Sequence, residues 1–260
     1  MSAVAIETLP PARPRPIQWR RLLQALAILW ESRPEKVLDA AFTVGDALGG
    51  MSDERQLRRI LATPAGQRLL ARRSSLPEAL ADHDALRAMP DGSLGREFLA
   101  FCERHGLDSR KLVEAQHRMS RDHRDLDSVR QWLGDRLTVM HDLWHVLVGY
   151  DATHAGESAL MCFSLPQRVN DRALPIFVAM SLLSRRIAPR NAWEAWRRGR
   201  RAVLLAAQPF EELLPLPLAE VRRRLGIAAP RVAHPARVSE AMLIPDRERP
   251  TRTQPTECPA

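Results

Sequence analysis

Between residues 17 and 228 apolar residues recur at a helical period almost throughout, and no run alternates β-branched with polar side chains. A half-buried strand needs a two-residue alternation and an amphipathic helix a 3.6-residue one, so the chain is predicted to be all-α, with no sheet. Start and stop signals divide the pattern. Ile17 to Trp30 carries the period, and Pro34 opens a second helix that Gly49 and Gly50 close. Thr63-Pro64 reads as an N-cap followed by proline in the first turn, and Ser75 with Glu78 and Asn191 with Glu194 have capping-box spacing. A helix from Ser93 to His105 stops at Gly106, a short one runs from Ser109 to about Ser120, and the longest, about Asp127 to Val148, stops at Gly149. Helices from Glu157 to about Leu165 and from Asp171 to about Ile187 follow, with Pro166 and Pro189 as breakers.

No repeat and no linker interrupts residues 17–228, which predicts a single multi-helix domain. Residues 1–16 carry Pro10, Pro11, Pro14 and Pro16, and residues 229–260 hold six prolines among charges. Neither end has the periodicity to bury a face, so both are expected to be disordered tails.

The run VMHDLWHVLVGYDATHAGES holds His141, Asp142 and His145, with Glu157 completing the spacing His-Asp-x-x-His-x11-Glu. On a helix, positions 141, 142 and 145 lie at about 0°, 100° and 40°, so two imidazoles and a carboxylate share a face. Leu143, Trp144, Val146, Leu147 and Val148 set that face against a core, where polar groups without a partner are costly. The glycine-bounded turn from Gly149 to Gly156 can reverse the chain and return Glu157 to the histidines. A divalent ion on His141, Asp142, His145 and Glu157 is the preferred reading, and a structural polar network is the other. Asp142 can be a ligand, an orienter of a ligand or a base; His154 is a spare candidate, expected in solvent. Two imidazoles with carboxylates suit zinc with an open position and equally suit ferrous iron. No residue is singled out as catalytic.

The formal net charge of +8 points to an anionic contact, though Lys36 and Lys111 are the only lysines, so much of the arginine excess reads as coding bias. The basic residues are dispersed and no nucleic-acid reading motif is present, so nucleic acid is not expected as a partner. Cys102, Cys162 and Cys258 form no Cys-x-x-Cys, which fits a reducing compartment. No stretch reaches the roughly 18 uncharged apolar residues of a membrane span. Gly-x-Gly-x-x-Gly, P-loop and Gly-x-Ser-x-Gly motifs are absent, so neither a nucleotide cofactor nor serine hydrolase chemistry is indicated. The stretch from Trp193 to Leu205 is a basic amphipathic helix. A membrane-surface or phosphate role competes there with the preferred reading, a core-facing tryptophan stripe and a solvated arginine face.

HDLWHVLVG with Glu157 resembles the metal motif of the coenzyme Q (ubiquinone) biosynthesis protein 4 family. MPDGSLGREFLAF is similar to that family's upstream segment at Pro90, Gly92, Ser93, Gly95, Arg96 and Glu97, and LAEVRRRLGI resembles its closing helix. The likeness spans roughly residues 17–228. It implies an all-helical domain, often dimeric, peripheral to the membrane that holds prenylated quinone precursors and working with other ubiquinone biosynthesis proteins. It also implies a divalent ion, usually zinc, on His141, Asp142, His145 and Glu157. The implied reaction removes the ring carboxylate of a polyprenylated hydroxybenzoate at carbon 1 and places a hydroxyl there. For a bacterial chain the expected location is cytoplasmic, on the inner face of the cell membrane. The rival is a non-catalytic organiser that binds prenyl lipid around a structural metal. A metal-dependent phosphohydrolase, which also uses a His-Asp pair, lacks its further separated ligands here.

Overall fold

In a computed structural model of the chain, residues 14–31, 34–119 and 128–231 are described. The helical period is realised as fourteen α-helices and one 3-10 turn, with no strand among the described residues. In chain order they are α1 (Trp19–Glu31), α2 (Pro34–Leu48), α3 (Ser52–Leu61), α4 (Pro64–Arg72), α5 (Leu76–Ala81), α6 (His83–Ala88) and α7 (Leu94–His105). The second half holds α8 (Ser109–Met119), α9 (Ser128–Val148), α10 (His154–Ser164), α11 (Ala173–Leu183), α12 (Pro189–Arg201), α13 (Phe210–Leu213) and α14 (Leu218–Arg224).

The punctuation read from the sequence is largely where the helices stop and start. Thr63, Ser75 and Ser93 cap α4, α5 and α7 by accepting the N–H groups of Gly66, Glu78 and Arg96. Gly106 closes α7 in the left-handed conformation. Three boundaries differ from expectation. α10 begins a turn early, at His154, because Thr153 is its cap and accepts from Gly156 N–H at 3.2 Å. α11 ends at Leu183 rather than near Ile187. α12 starts at Pro189 with Ala188 before it, so Pro189 is a helix opener and Asn191 lies inside the first turn. The expected ends at Ser120 and Asp127, and the tails over 1–13 and 232–260, lie outside the described residues.

α9 is the central element. Leu133, Val139, Met140, Leu143, Trp144, Leu147 and Val148 on it join the main core with Leu57 and Ile60 of α3, Phe98 of α7, Phe163 of α10 and Phe210 of α13. Two buried arginines pin it at its first half. Arg136 is fully buried and grips Glu211 with both Nη atoms at 2.5 and 3.0 Å, while Arg130 Nη2 donates to Glu54 at 2.6 Å. A second, smaller cluster joins Leu22, Ala25 and Leu29 of α1 to Val44 and Ala47 of α2 and Ala173 of α11. Asp171, just before α11, ties it to α3 of the main body by accepting from Ser52 Oγ and Arg55 Nε, both at 2.6 Å.

The basic helix inverts the preferred reading of its faces. Trp193 is 59 % exposed and Arg198 only 6 %. Helical spacing showed that Trp193 and Arg198 lie on different faces but not which one meets the core. Ala192, Ala195 and Gly199 allow α12 to approach α10 so closely that a Cβ at Gly199 would lie 1.9 Å from the Phe163 carbonyl oxygen. A tryptophan cannot occupy that contact.

Candidate metal centre

The site is built at the end of α9. A helix leaves its last carbonyls without intrahelical partners, and here each of the last four is answered. Gly149, at φ 76°, lets the chain turn so that its own N–H and that of Tyr150 both donate to the His145 carbonyl, at 2.9 and 3.2 Å. Arg222 of α14 donates to the carbonyls of Val146 and Leu147 at 3.0 and 2.8 Å. Arg198 of α12 donates to that of Val148 at 2.6 Å. The helix carrying both histidines is therefore held by side chains about 50 and 75 residues downstream.

The return of Glu157 depends on the tight turn that follows. The Asp151 carboxylate accepts the Thr153 N–H and hydroxyl at 3.2 and 2.6 Å, and Thr153 caps α10, placing Glu157 in its first turn. At Gly156 a Cβ would lie 2.1 Å from the Asp151 carbonyl oxygen, so this close crossing admits no side chain. Gly156→Ala is expected to destabilise the protein by about 2–3 kcal/mol and to pull Glu157 from the histidines. Thermal denaturation and metal content, measured together, check both halves of that outcome.

His141, His145 and Glu157 converge, each offering one ligand atom within 4.8 Å of the others. The two Nε2 atoms are 3.3 Å apart, and Glu157 lies 3.2 Å from His141 Nε2 and 3.1 Å from His145 Nε2. A tetrahedral ion with bonds of about 2.0–2.1 Å has ligand-to-ligand edges of about 3.3 Å, which the imidazole pair matches. Glu157 meets His141 with Oε2 and His145 with Oε1, and the three residues lie close enough together to share an ion. His145 Nδ1 sits 3.2 Å from the Tyr150 carbonyl oxygen, which fixes Nδ1 as the protonated nitrogen and turns the Nε2 lone pair inward. Three residues are one short of a closed four-residue site, and one side of the group is wet: the side chains of His141 and Glu157 are 44 % and 33 % exposed against 1 % for His145.

Asp142 is half-buried and does not join the three within that distance. Burial pushes its carboxyl above the usual range, against the pull of both imidazoles. Its charge acts on His141 from outside the trio. His154 is exposed at the surface, where partial desolvation by neighbouring protein, together with the Arg186 charge, holds it below its ordinary value. For Glu157, burial is outweighed by the charges and hydrogen bonds of the two histidines, which hold its carboxyl well below the usual carboxylate range. For His141, burial is outweighed by the Glu157 charge and hydrogen bond and the Asp142 charge, which raise it to about 9.

Several parts of the surroundings carried no signal in the sequence. Phe101 of α7 stacks on His145 with centroids 5.5 Å apart and touches His105 at 4.6 Å. A cleft of about 430 Å³ lies against His145, lined by Phe101, Arg104, His105, Tyr150 and Arg222 among others.

Residues 22–231 match the protein family described as coenzyme Q (ubiquinone) biosynthesis protein Coq4. The mitochondrial ubiquinone biosynthesis protein COQ4 homolog of Danio rerio is 28 % identical over 201 residues, covering 75 % of this chain and 71 % of that protein. The Mus musculus homolog is 29 % identical over 175 residues, covering 64 % and 62 %. The chain spans 58 % of the length of the Pyrenophora tritici-repentis protein, at 28 % identity over 180 residues and 66 % of this chain. A crystal structure from Nostoc punctiforme shares the fold, with a TM-score of 0.56 and 20 % identity over 82 % of this chain and 100 % of that one. With four fifths of its length matched and the histidine–glutamate centre inside that span, the chain belongs to the Coq4 family of coenzyme Q (ubiquinone) biosynthesis proteins.

Proposed function

We propose that this chain acts in ubiquinone biosynthesis as a metal-dependent decarboxylase–hydroxylase of a polyprenylated hydroxybenzoate. The carrying observation is the convergence of His141, His145 and Glu157, the imidazole Nε2 atoms 3.3 Å apart with one carboxylate oxygen against each, a donor set that suits a divalent ion. His141, His145 and Glu157 would hold zinc or ferrous iron, with Asp142 supplying charge beside them. When bound, the ion supplies a Lewis acid for a substrate carboxylate or phenolate oxygen.

The protein's own groups do the rest. The Tyr150 carbonyl keeps the proton on His145 Nδ1. The Phe101 ring shields the buried side of that imidazole, and the cleft beside it offers aromatic faces from Phe101 and Tyr150 and cations from Arg104 and Arg222, with Glu97 and Asp151 also in its wall. Overall, the hydroxybenzoate and one dioxygen balance to a benzoquinone ring, carbon dioxide and water. Zinc has no redox chemistry, so with zinc the oxidation belongs to a partner enzyme.

In this role the protein would act peripherally at the inner face of a bacterial membrane, with other ubiquinone biosynthesis proteins and a second copy of itself as partners. No helix among the described residues is long and apolar enough to cross a membrane.

The test is turnover. Purified chain, stripped and reloaded with zinc or ferrous iron, is given prenylated hydroxybenzoate in air, alone and with partner enzymes, and loss of the carboxylate is followed by mass spectrometry. Metal-dependent decarboxylation is expected. No loss of the carboxylate with the loaded protein alone, and turnover only when partner enzymes are added, would instead support the non-catalytic organiser.

A further inference from the structure

Exposed apolar and cationic residues are concentrated over α11, α12 and the turn between them, a corner of two helices that both pack on α10, which carries Glu157. α11 is apolar along almost its whole length, yet Ala173 and Ser181 are its only fully buried residues. Its last two residues, Leu182 and Leu183, face solvent, Leu183 with 74 % of its surface. The helix then ends in a tight turn: the N–H groups of Arg185 and Arg186 donate back to the carbonyls of Leu182 and Ser181 at 3.1 and 2.9 Å. Such a turn puts Arg185 at φ 59°, where glycine is the usual residue, so an exposed arginine sits there at a cost of about 1–2 kcal/mol.

Five residues, 184–188, lead on to α12, so the two helix ends lie within about 20 Å. Around α12, positions 190, 193 and 197 fall at about 0°, 300° and 340°, opposite the face that packs on α10. Arg190, Trp193 and Arg197 are all exposed there. Residues 172–201 contain eight arginines and a single acid, Glu194. That acid is engaged, accepting the Arg231 N–H at 3.0 Å. The corner also adjoins the centre: Ser181 Oγ lies 3.1 Å from Ser158 Oγ, the residue after Glu157.

We propose that this corner docks on an anionic lipid surface, with Leu182, Leu183 and Trp193 entering the boundary between headgroups and acyl chains while Arg185, Arg190 and Arg197 pair with lipid phosphates. A second copy of the chain fits poorly, since a two-fold contact would set the same arginines against one another. Nucleic acid or an acidic protein face would meet the arginines and leave Leu183 without an apolar partner. An anionic bilayer satisfies both kinds of group. The catalytic meaning of the corner rests on the proposed function: a prenylated substrate stays in lipid, and docking here holds α10, the helix that carries Glu157, next to that surface.

The test uses the full-length protein in co-sedimentation with vesicles of phosphatidylcholine alone and of phosphatidylcholine with about one third phosphatidylglycerol. The protein is expected on the anionic vesicles and is released by salt. Arg190→Gln and Arg197→Gln should each weaken binding about five-fold, the equivalent of about 1 kcal/mol per basic side chain near an anionic leaflet. Leu183→Glu should weaken it at least as much. All three positions are exposed, so circular dichroism and metal content should match the parent. His145→Ala should lose metal and still bind vesicles. Failure of the metal-loaded parent to turn over substrate while its docking holds would sink the proposed function alone. Equal binding by parent and variants, or equal binding to neutral and anionic vesicles, would overturn the docking surface. So would variants that convert a dimer to a monomer with vesicle binding intact, since that outcome assigns the corner to a second copy.

Discussion

Alanine at His145 is expected to empty the metal centre, taking bound ion from near one per chain to below about a tenth, and to abolish quinone production in a deficient strain. His145 is the one fully buried member of the trio, and its orientation is set by the Tyr150 carbonyl and the Phe101 ring. Loss of an orienting partner alone typically costs 10–100-fold in metal affinity, so loss of one ligand of three should exceed about 100-fold. Glu157→Gln keeps the shape and removes the charge, and it should also fail to hold the ion. Metal analysis of the purified variants reads both directly. Full rescue of quinone production by His145→Ala would defeat the reading.

The pH dependence has two opposite arms. In the metal-free protein His141 is raised from 6.5 to about 9, so its ion pair with Glu157 stabilises the fold fully below about 6.5 and loses that contribution as pH rises through about 9. Glu157 is lowered, so its contribution is present above its ordinary value of 4.5 and is lost only as pH falls through the lowered one. Metal must displace the His141 proton, so its apparent affinity should rise about ten-fold per pH unit up to about 9. Metal competition titrations at pH 6.5 and 8 should show that rise. A flat profile would mean that His141 is not a ligand.

Arg198→Ala is the second large effect, and it acts on the fold. Arg198 donates to the Val148 carbonyl and twice to that of Ala228, and its guanidinium lies over Tyr150 at 4.9 Å. Removing it leaves the last carbonyl of α9 buried without a partner and loosens the turn that carries Tyr150. The expected cost is about 3–5 kcal/mol, or a fall in Tm of about 10 °C, with weaker metal binding as a consequence. Arg198→Lys keeps the charge but lacks the planar fork that reaches two carbonyls, so it should recover less than half of the loss. Calorimetric scans of the three proteins check this, and a Tm for Arg198→Ala within 2 °C of the parent would refute it.

Local signals in the chain were sufficient for the longer helices and for most of their ends, while α3, α6 and α13 went unread. A cap such as Ser93 or a stop such as Gly106 acts on backbone groups within three or four residues, and that range is visible in a linear string. The convergence of His141 with His145 was legible for the same reason, since both lie on one turn. Glu157 needed only a tight reversal, and two glycines flagged it. Asp142, one residue along, was expected among the ligands, but its 100° rotation around α9 carries it outside the trio.

What the string left undecided are contacts between segments far apart in it. Arg198 was assigned to a solvated face because helical spacing separates two sides without saying which is inside. Only the close crossing of α12 over α10, at Gly199, turned that arginine inward to the end of α9 and left Trp193 in solvent. The sequence by itself determined an all-α chain and the pair of imidazoles, because periodicity and single-turn spacing are local. Tertiary structure decided the helix cap, the stacked Phe101 and the number of atoms left to grip an ion, because each depends on where a distant helix comes to rest.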